Sequence, residues 1–390
     1  VSTGPVAQFG VLGVQGKRDW PCLTLEESTE VLEFFQGIAR PCHVAWHSMR
    51  PFSAVARVQL EGQGECLLKR HHVTLRSVKS LENEHNFVKY LYHRDLAVSP
   101  PLRTHDGHTA LQMGDWTYEV FLPAKGADFY RDVMSWRPYF SSQQAYGAGK
   151  ALGALHLAAA DYAGPARCEE EPAPLVSGMQ AIGQPELIPA LRQWVARQPY
   201  MLPALVNRAW ERDVQDVLVP FHQALQPLLP HIVPAWGHGD WHGSNLLWNM
   251  DSVCSILDFG MADRTCAPFD LAVALERAVV DWLALPVVGG IAWEQAEAFL
   301  AGYQSVRQLS DVECRQVVAF LPLVHVEFAL SEVGYYATLV KDPASAEVAY
   351  TDYLLGHGRW FAYGEGKMLL DKLPAMLRRT RRGWSQHDDT

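Results

Sequence analysis

Gly237-His238-Gly239-Asp240-Trp241-His242-Gly243-Ser244-Asn245 brings two imidazoles, a carboxylate and a carboxamide into one short segment, and Asp258-Phe259-Gly260 follows after an apolar run. Two carboxylates and an amide oxygen brought together suit phosphoryl transfer. A divalent ion that bridges phosphate oxygens takes hard oxygen ligands. A separate carboxylate must orient the attacking hydroxyl and take its proton. Asn245 and Asp258 fit the metal roles, with Mg²⁺ as the ion, and Asp240 fits the base.

The intervening residues are suited to positioning them. Leu246-Leu247-Trp248 and Val253 to Leu257 flank a turn at Asn249 to Ser252, which predicts two short paired strands. Pairing across that turn carries Asn245, before the first strand, to Asp258, after the second. Asp240 lies on the same loop as Asn245.

The order His-Gly-Asp-x-x-x-x-Asn, short hairpin, Asp-Phe-Gly resembles the aminoglycoside phosphotransferase, choline kinase and homoserine kinase superfamily, over roughly residues 45 to 375. Protein kinases usually carry Arg where this chain has Gly239. The resemblance implies a two-lobed, protein-kinase-like α+β fold with ATP in the cleft. It also implies a strand lysine held by a helix glutamate, which Lys69 and Glu84 match, with Arg70 and Glu82 as less well placed neighbours. Phe121 and Leu122 open Phe-Leu-Pro-Ala-Lys-Gly, which looks like the adenine-binding hinge. Gly149 to His156 resembles the helix before the catalytic loop, and Asp270 in Pro268-Phe269-Asp270 the aspartate that braces that loop. The Gly-x-Gly-x-x-Gly phosphate loop of protein kinases is absent. Pro51-Phe52-Ser53-Ala54 stands in its place, with Ser53 as the phosphate-loop serine that small-molecule kinases of this superfamily often use.

Other residues leave two roles open. His238 reads as a buttress of the loop, while His242 either touches substrate or phosphate or has an ordinary loop partner. Asp263 either assists the metal or caps a turn, and Arg264 either pairs with it or faces a phosphate. Glu327, Glu332, Tyr335 and Tyr336 fall where relatives build the acceptor pocket, and Glu276, Asp281 and Trp282 on the preceding helical segment are placed to join them. Carboxylates and aromatics can hold an ammonium group, but the same pattern describes a solvated helix face beside a packed one. The named relatives all act on amino alcohols, so the resemblance implies a small, cationic acceptor. A protein-phosphorylating enzyme and a non-catalytic nucleotide-binding scaffold are the rival readings. The missing glycine loop and the lack of an Ala-Pro-Glu-like segment count against the first, and the filled catalytic positions against the second.

The elements predicted to carry these residues divide unequally. A helix over 25–38 capped by Thr24, strands over 54–60 and 65–70, a helix over 80–92 and a hairpin over 109–113 and 117–122 form a nucleotide-binding lobe of residues 1–122. Helices over 141–160, 186–196, 205–229, 267–285, 293–306, 312–339 and 367–377 dominate a catalytic and acceptor-binding lobe of residues 123–377. Residues 378–390, with Arg378, Arg379, Arg381 and Arg382, read as a polar, frayed tail.

A length of 390 residues with 48% hydrophobic and 19% charged content fits two packed lobes. The net charge of −10 argues against general nucleic-acid binding, which needs a basic face. Seven scattered cysteines with no Cys-x-x-Cys pair indicate neither a zinc site nor a disulfide framework. Val1 to Trp20 lacks a basic region followed by an apolar run, and 278–293 is interrupted by Asp281, Pro286 and two glycines, so neither a leader nor a membrane span is expected. A cytoplasmic monomer or homodimer fits.

Overall fold

The computed structural model describes residues 18–381 except 132, 168–173 and 284–289, together with the short strands β1 (Ala7–Gln8) and β2 (Val11–Leu12). Thr24 accepts a hydrogen bond from the Glu27 amide at 3.1 Å and opens α1 (Leu25–Leu32). The helix ends six residues before the expected Ile38 because Phe35 leaves to bridge Thr104.

β3 (Pro41–His47), β4 (Ala54–Leu60), β5 (Gly64–His72), β6 (Leu111–Met113) and β7 (Trp116–Phe121) form one antiparallel sheet in the order β3-β4-β5-β7-β6. Alternation in β4 buries Ala54, Ala56, Val58 and Leu60, whose side chains join Leu68, Val120 and α1 in a small core. The edge strand β3 was not expected, since only Pro41 is buried and it shows no clean alternation. Ser77 caps α2 (Val78–Tyr92), which begins two residues before the expected Ser80.

The chain then turns helical. α3 (Ser142–Ala159) runs against α9 (Trp293–Val306) at glycine contacts: a Cβ on Gly149 would lie 2.0 Å from the Phe299 carbonyl oxygen. α4 (Leu187–Ala196) is followed by α5 (Leu202–Leu205), α6 (Trp210–Val217), α7 (Val219–Leu225) and a 3₁₀ turn at Gln226–His231. One long helix over 205–229 was expected; the chain turns at Val206–Ala209 between α5 and α6, and Pro220 and Pro227 break the amide ladder at the starts of α7 and the 3₁₀ turn. β8 (Ala235–Gly237) pairs with β11 (Asp263–Thr265), and between them lies the hairpin of β9 (Leu246–Asn249) and β10 (Ser252–Ile256).

Every residue of α8 (Ala267–Val279) is buried, including Asp270, Glu276 and Arg277, so it forms the axis of the large lobe. The expected helix over 312–339 is divided as well. α10 (Asp311–Phe320) stops before Pro322, α11 (Val326–Gly334) follows, and Tyr335–Val340 winds as a π-helix. α12 (Pro343–Val348) leads to a second π-helical stretch, Ala349–Leu354, then α13 (Leu355–Ala362) and α14 (Gly364–Thr380). π-turns are rare and gather at functional sites. The basic stretch begins inside α14 and not in a tail: Arg379 pairs with Glu297 at 3.0 Å and Arg381 with Asp311 at 2.7 Å, while 382–390 and Cys168 lie outside the described residues. Among the described residues, no helix is long and apolar enough to cross a membrane.

Candidate active site

The β9–β10 hairpin aligns Leu246 with Ile256, and the Leu257 amide donates to the Asn245 carbonyl at 2.8 Å. Asn245 and the Asp258 turn are thereby joined at the open end of the hairpin, as the spacing predicts. Gly239 has φ +76, and a Cβ there would stand 2.3 Å from the Met261 carbonyl oxygen, so no side chain fits this position of the loop. The ordered loop hangs on Asp270. Its carboxylate accepts the amides of His238 and Gly239, each at 2.7 Å, and the imidazole of His156 at 2.9 Å. Burial works against its ionisation, but His156 outweighs that and holds the carboxyl below its usual range. His238 donates through Nε2 to the Leu257 carbonyl at 2.9 Å and accepts the Asp240 amide at 3.2 Å, tying the loop to the second strand.

Asp240 is buried among donors. Arg277 meets Oδ1 at 2.9 Å, while Asn245 Nδ2 at 3.0 Å and His242 Nε2 at 3.3 Å meet Oδ2. Burial alone would raise its pKa, yet the Arg277 guanidinium and His242 drive it far below the usual carboxylate range. Asn245 also donates to the Asp240 carbonyl at 2.9 Å. Its amide hydrogens are engaged with Asp240, which leaves the amide oxygen as its lone-pair group.

Asp258 adopts the left-handed conformation (φ 56), and Lys69 Nζ reaches its Oδ1 at 2.9 Å. Its side chain keeps 48% of its surface open on the cleft side; enclosure by the rest of the cleft opposes ionisation, and the Lys69 ammonium overrides it. Lys69 is itself held charged: burial disfavours the ammonium, and Asp258 and Glu119 more than compensate.

The partner of Lys69 differs from expectation. Glu84 on α2 is buried against Arg167 at 3.2 Å and favours the Lys69 ammonium without pairing with it; the carboxylates within reach of that ammonium are Asp258 at 2.9 Å and Glu119 at 3.7 Å. β5 and β7 pair Lys69 directly opposite Glu119, whose other contacts are His71 at 3.0 Å and His85 at 2.6 Å. Glu82 bonds His108 outside the cleft at 2.9 Å.

Phe121 ends β7, and Leu122 follows it, 46% exposed. Ser53 lines a small cleft with Asp19 and Arg50. Arg50 crosses from the β4 side to donate to Ser244 Oγ at 3.1 Å and the Val133 carbonyl at 2.8 Å. Asp263 is buried and accepts the amides of Arg167 at 2.8 Å and Arg264 at 2.7 Å, a turn-bracing use.

The suggested acceptor residues separate. Glu327 is not on a pocket wall: it is 1% exposed and its Oε1 accepts the amides of Ala181 at 2.7 Å and Ile182 at 3.2 Å. Glu276 is likewise buried, bonded to His357 at 2.7 Å. Asp281 follows α8, its amide on the Gly290 carbonyl at 2.6 Å. Glu332 and Tyr336 are half-buried. Burial pushes the Glu332 carboxyl up to about 8 against the pull of Arg277. The Tyr336 ring lies 5.0 Å from Tyr335 and 6.3 Å from Phe52.

Three residues that sequence reasoning missed carry much of this geometry. Arg277 lies two helical turns after Asp270 and so on its face of α8. Glu119 is the one charged residue of a mostly apolar strand, an anomaly worth weighing. Arg50 adjoins the Pro-Phe-Ser segment.

The sequence profile of the Phosphotransferase enzyme family matches residues 52–309, more than half of the chain and all of the catalytic loop. The chain belongs to that family. It is therefore a phosphotransferase. Comparison with curated proteins finds no match. Among solved structures, the chain is similar to a microcompartment-associated aminopropanol kinase (14% identity, TM-score 0.59, covering 88% of this chain and 99% of that one). It is also similar to an amicoumacin kinase in complex with AMP-PNP and Ca²⁺ (14%, TM-score 0.54, 94% and 97%) and to a spectinomycin phosphotransferase in complex with ADP and spectinomycin (10%, 0.53, 92% and 98%). At these identities the likeness establishes the two-lobed kinase-like fold.

Proposed function

We propose that this phosphotransferase moves the γ-phosphate of ATP, with Mg²⁺, to a hydroxyl of a small amine-bearing molecule. The observation that carries the reading is the convergence of Asp240, Asn245, Asp258 and Lys69 on one cleft between the lobes. The donor set suits the ion: the Asn245 amide oxygen and the Asp258 oxygen turned away from Lys69 are hard ligands of the kind Mg²⁺ takes. When bound, the metal would neutralise charge on the phosphates.

The chain's own groups do the rest. Lys69, held by Asp258 and Glu119, meets the non-transferring phosphates. Ser53 stands where the β-lobe would touch phosphate, and Phe121 and Leu122 present hinge backbone to the adenine. Asp240 accepts a hydrogen bond from the acceptor hydroxyl and aligns it with the phosphorus. With its pKa driven so low, Asp240 takes the proton late, once the oxygen has begun to bond phosphorus, as a loose transition state requires. Asp270, His238 and His242 hold the loop that carries it.

The acceptor side is read from Glu332 and Tyr336. A carboxyl that burial holds back from ionising gains most when an ammonium arrives beside it, and the Tyr336 ring offers a face for the same charge. The aminopropanol kinase among its structural relatives is in keeping with an amino-alcohol acceptor. The decisive assay is Mg²⁺-dependent ADP release with a panel of amino alcohols and aminoglycosides, comparing the native chain with Asp240→Asn. The expected result is acceptor-stimulated turnover that the variant loses by at least about 10²-fold while still binding nucleotide. Turnover undiminished in Asp240→Asn sinks the assignment of Asp240.

A further inference from the structure

We propose that Arg50 positions Asp240 through Ser244 and His242, so that seating the loop before β4 on the large lobe sets the catalytic carboxylate. This rests on reading Asp240 as the group that orients the acceptor hydroxyl. Three contacts form a continuous chain: Arg50 to Ser244 Oγ at 3.1 Å, Ser244 Oγ to His242 Nδ1 at 2.9 Å, and His242 Nε2 to Asp240 Oδ2 at 3.3 Å.

Donor chemistry gives the chain one direction. A guanidinium only donates, so Ser244 Oγ accepts from Arg50 and its hydroxyl hydrogen is left for His242. The ionised Asp240 only accepts, so the proton of His242 sits on Nε2 and Nδ1 takes the serine hydrogen. Each link thus requires the next. Burial holds His242 neutral, its pKa pushed down to about 4, which is the state this arrangement needs.

Arg50 also differs from the arginines paired with a carboxylate, and from Arg76, whose hydrogen bonds all end on backbone carbonyls. Arg70 pairs with Glu27 at 2.6 Å, Arg167 with Glu84 at 3.2 Å and Arg307 with Glu313 at 2.5 Å. The hydrogen bonds of Arg50 go to neutral oxygens, those of Ser135, Val133 and Ser244. The acidic charges that favour its guanidinium are Asp240, Asp128 and Asp258, two of them in the catalytic set. The loop is fixed by Phe52, whose left-handed backbone (φ 73) turns its ring onto Phe328 and Tyr335 of the large lobe at 5.9 and 5.2 Å. With no glycine-rich loop, this clasp is where the small lobe touches the catalytic loop through a cation.

The test uses the full chain with Arg50→Met, Arg50→Lys, Ser244→Ala and the Arg50→Met/Ser244→Ala double variant. ADP release is measured with aminopropanol, with spectinomycin and with water as acceptor. Arg50→Met is expected to lower kcat by about 10- to 100-fold with the KM for ATP changed less than about threefold, and Arg50→Lys to recover part of the loss. Ser244→Ala should reproduce the loss, and the double variant should lose no more than the worse single one, since both cut one chain. Multiplying losses, or a raised KM for ATP at constant kcat, would overturn the proposal; the second would make Arg50 a phosphate contact. If Arg50→Met does not fold, the small uncharged change Ser244→Ala decides by its kcat against its KM for ATP. Failure of the underlying reading looks different: Asp240→Asn would then remain active. Loss in Asp240→Asn with native rates in Arg50→Met and Ser244→Ala removes the positioning role alone.

Discussion

Glu327 shows how one buried side chain sets a pH dependence. Its Oε1 serves two backbone amides, and burial pushes its pKa up to about 7. A carboxyl raised in the folded state favours folding below its unfolded pKa, near 4.5, and that contribution is lost as pH rises through about 7. The full swing is about 3 kcal/mol. Glu327→Gln keeps an acceptor oxygen and removes the charge, so its stability should gain on the native chain by about 2–3 kcal/mol between pH 5 and pH 8 in urea unfolding. Glu327→Ala leaves two buried amides without their acceptor and should lose about 1–3 kcal/mol at both pH values. Parallel stability curves for the native and Gln chains would show that Glu327 does not titrate in this range.

At the level of elements, strand register and helix direction decide which carboxylate meets which cation. β5 and β7 place Glu119 across from Lys69, while α2 turns Glu84 toward Arg167, which is itself bonded to the Gly260 carbonyl at 2.9 Å. Glu84→Gln should therefore act on folding. Leaving Arg167 as an uncompensated buried charge costs about 3–5 kcal/mol, to be read from the urea midpoint, with little change in the KM for ATP. A large rise in that KM at unchanged stability would instead return Glu84 to Lys69. The same elements show why parts of the site were legible in sequence. The loop, hairpin and Asp-Phe-Gly turn are contiguous, so residue spacing alone brings Asn245 to Asp258, and Thr24, Ser141 and the Gly114 turn mark their element ends with local chemistry. Arg50 and Glu119 reach the site through tertiary packing, which no local period encodes, while the helical period sets Arg277 on the face of Asp270 without naming its partner Asp240. The helices over 205–229 and 312–339 were drawn too long because apolar spacing continued across prolines that interrupt the backbone ladder. Edge strand β3 lacks the alternation that a buried face would impose.

Across the whole molecule, the two hydrophobic cores are separate clusters, and Trp20 packs against both. Its ring stacks on His72 at 5.3 Å and meets Trp116 edge-on at 5.3 Å on the small-lobe side, and it approaches Tyr335 at 6.3 Å on the large. Asp19 beside it accepts the Tyr335 hydroxyl at 2.8 Å and the Phe52 amide at 3.1 Å, so one short segment joins the N-terminal strands' lobe, the clasp loop and the π-helix. Cooperativity between the lobes should then depend on this joint more than on its modest buried area suggests. Trp20→Ala removes about 2–3 kcal/mol of apolar contact at a partly exposed position. The loss should fall on the small lobe, which has the smaller core and the fewer elements to share it. Hydrogen exchange followed by peptide mass should speed up at least about tenfold in β3–β7 and the 48–53 loop, while α3, α8 and α9 keep native protection. Equal acceleration in α8 and α9 would mean that the lobes unfold as one unit and that Trp20 is ordinary core; no acceleration anywhere would mean that the other contacts between the lobes, among them Phe52, Arg50, Lys69–Asp258 and Glu84–Arg167, hold them together without it.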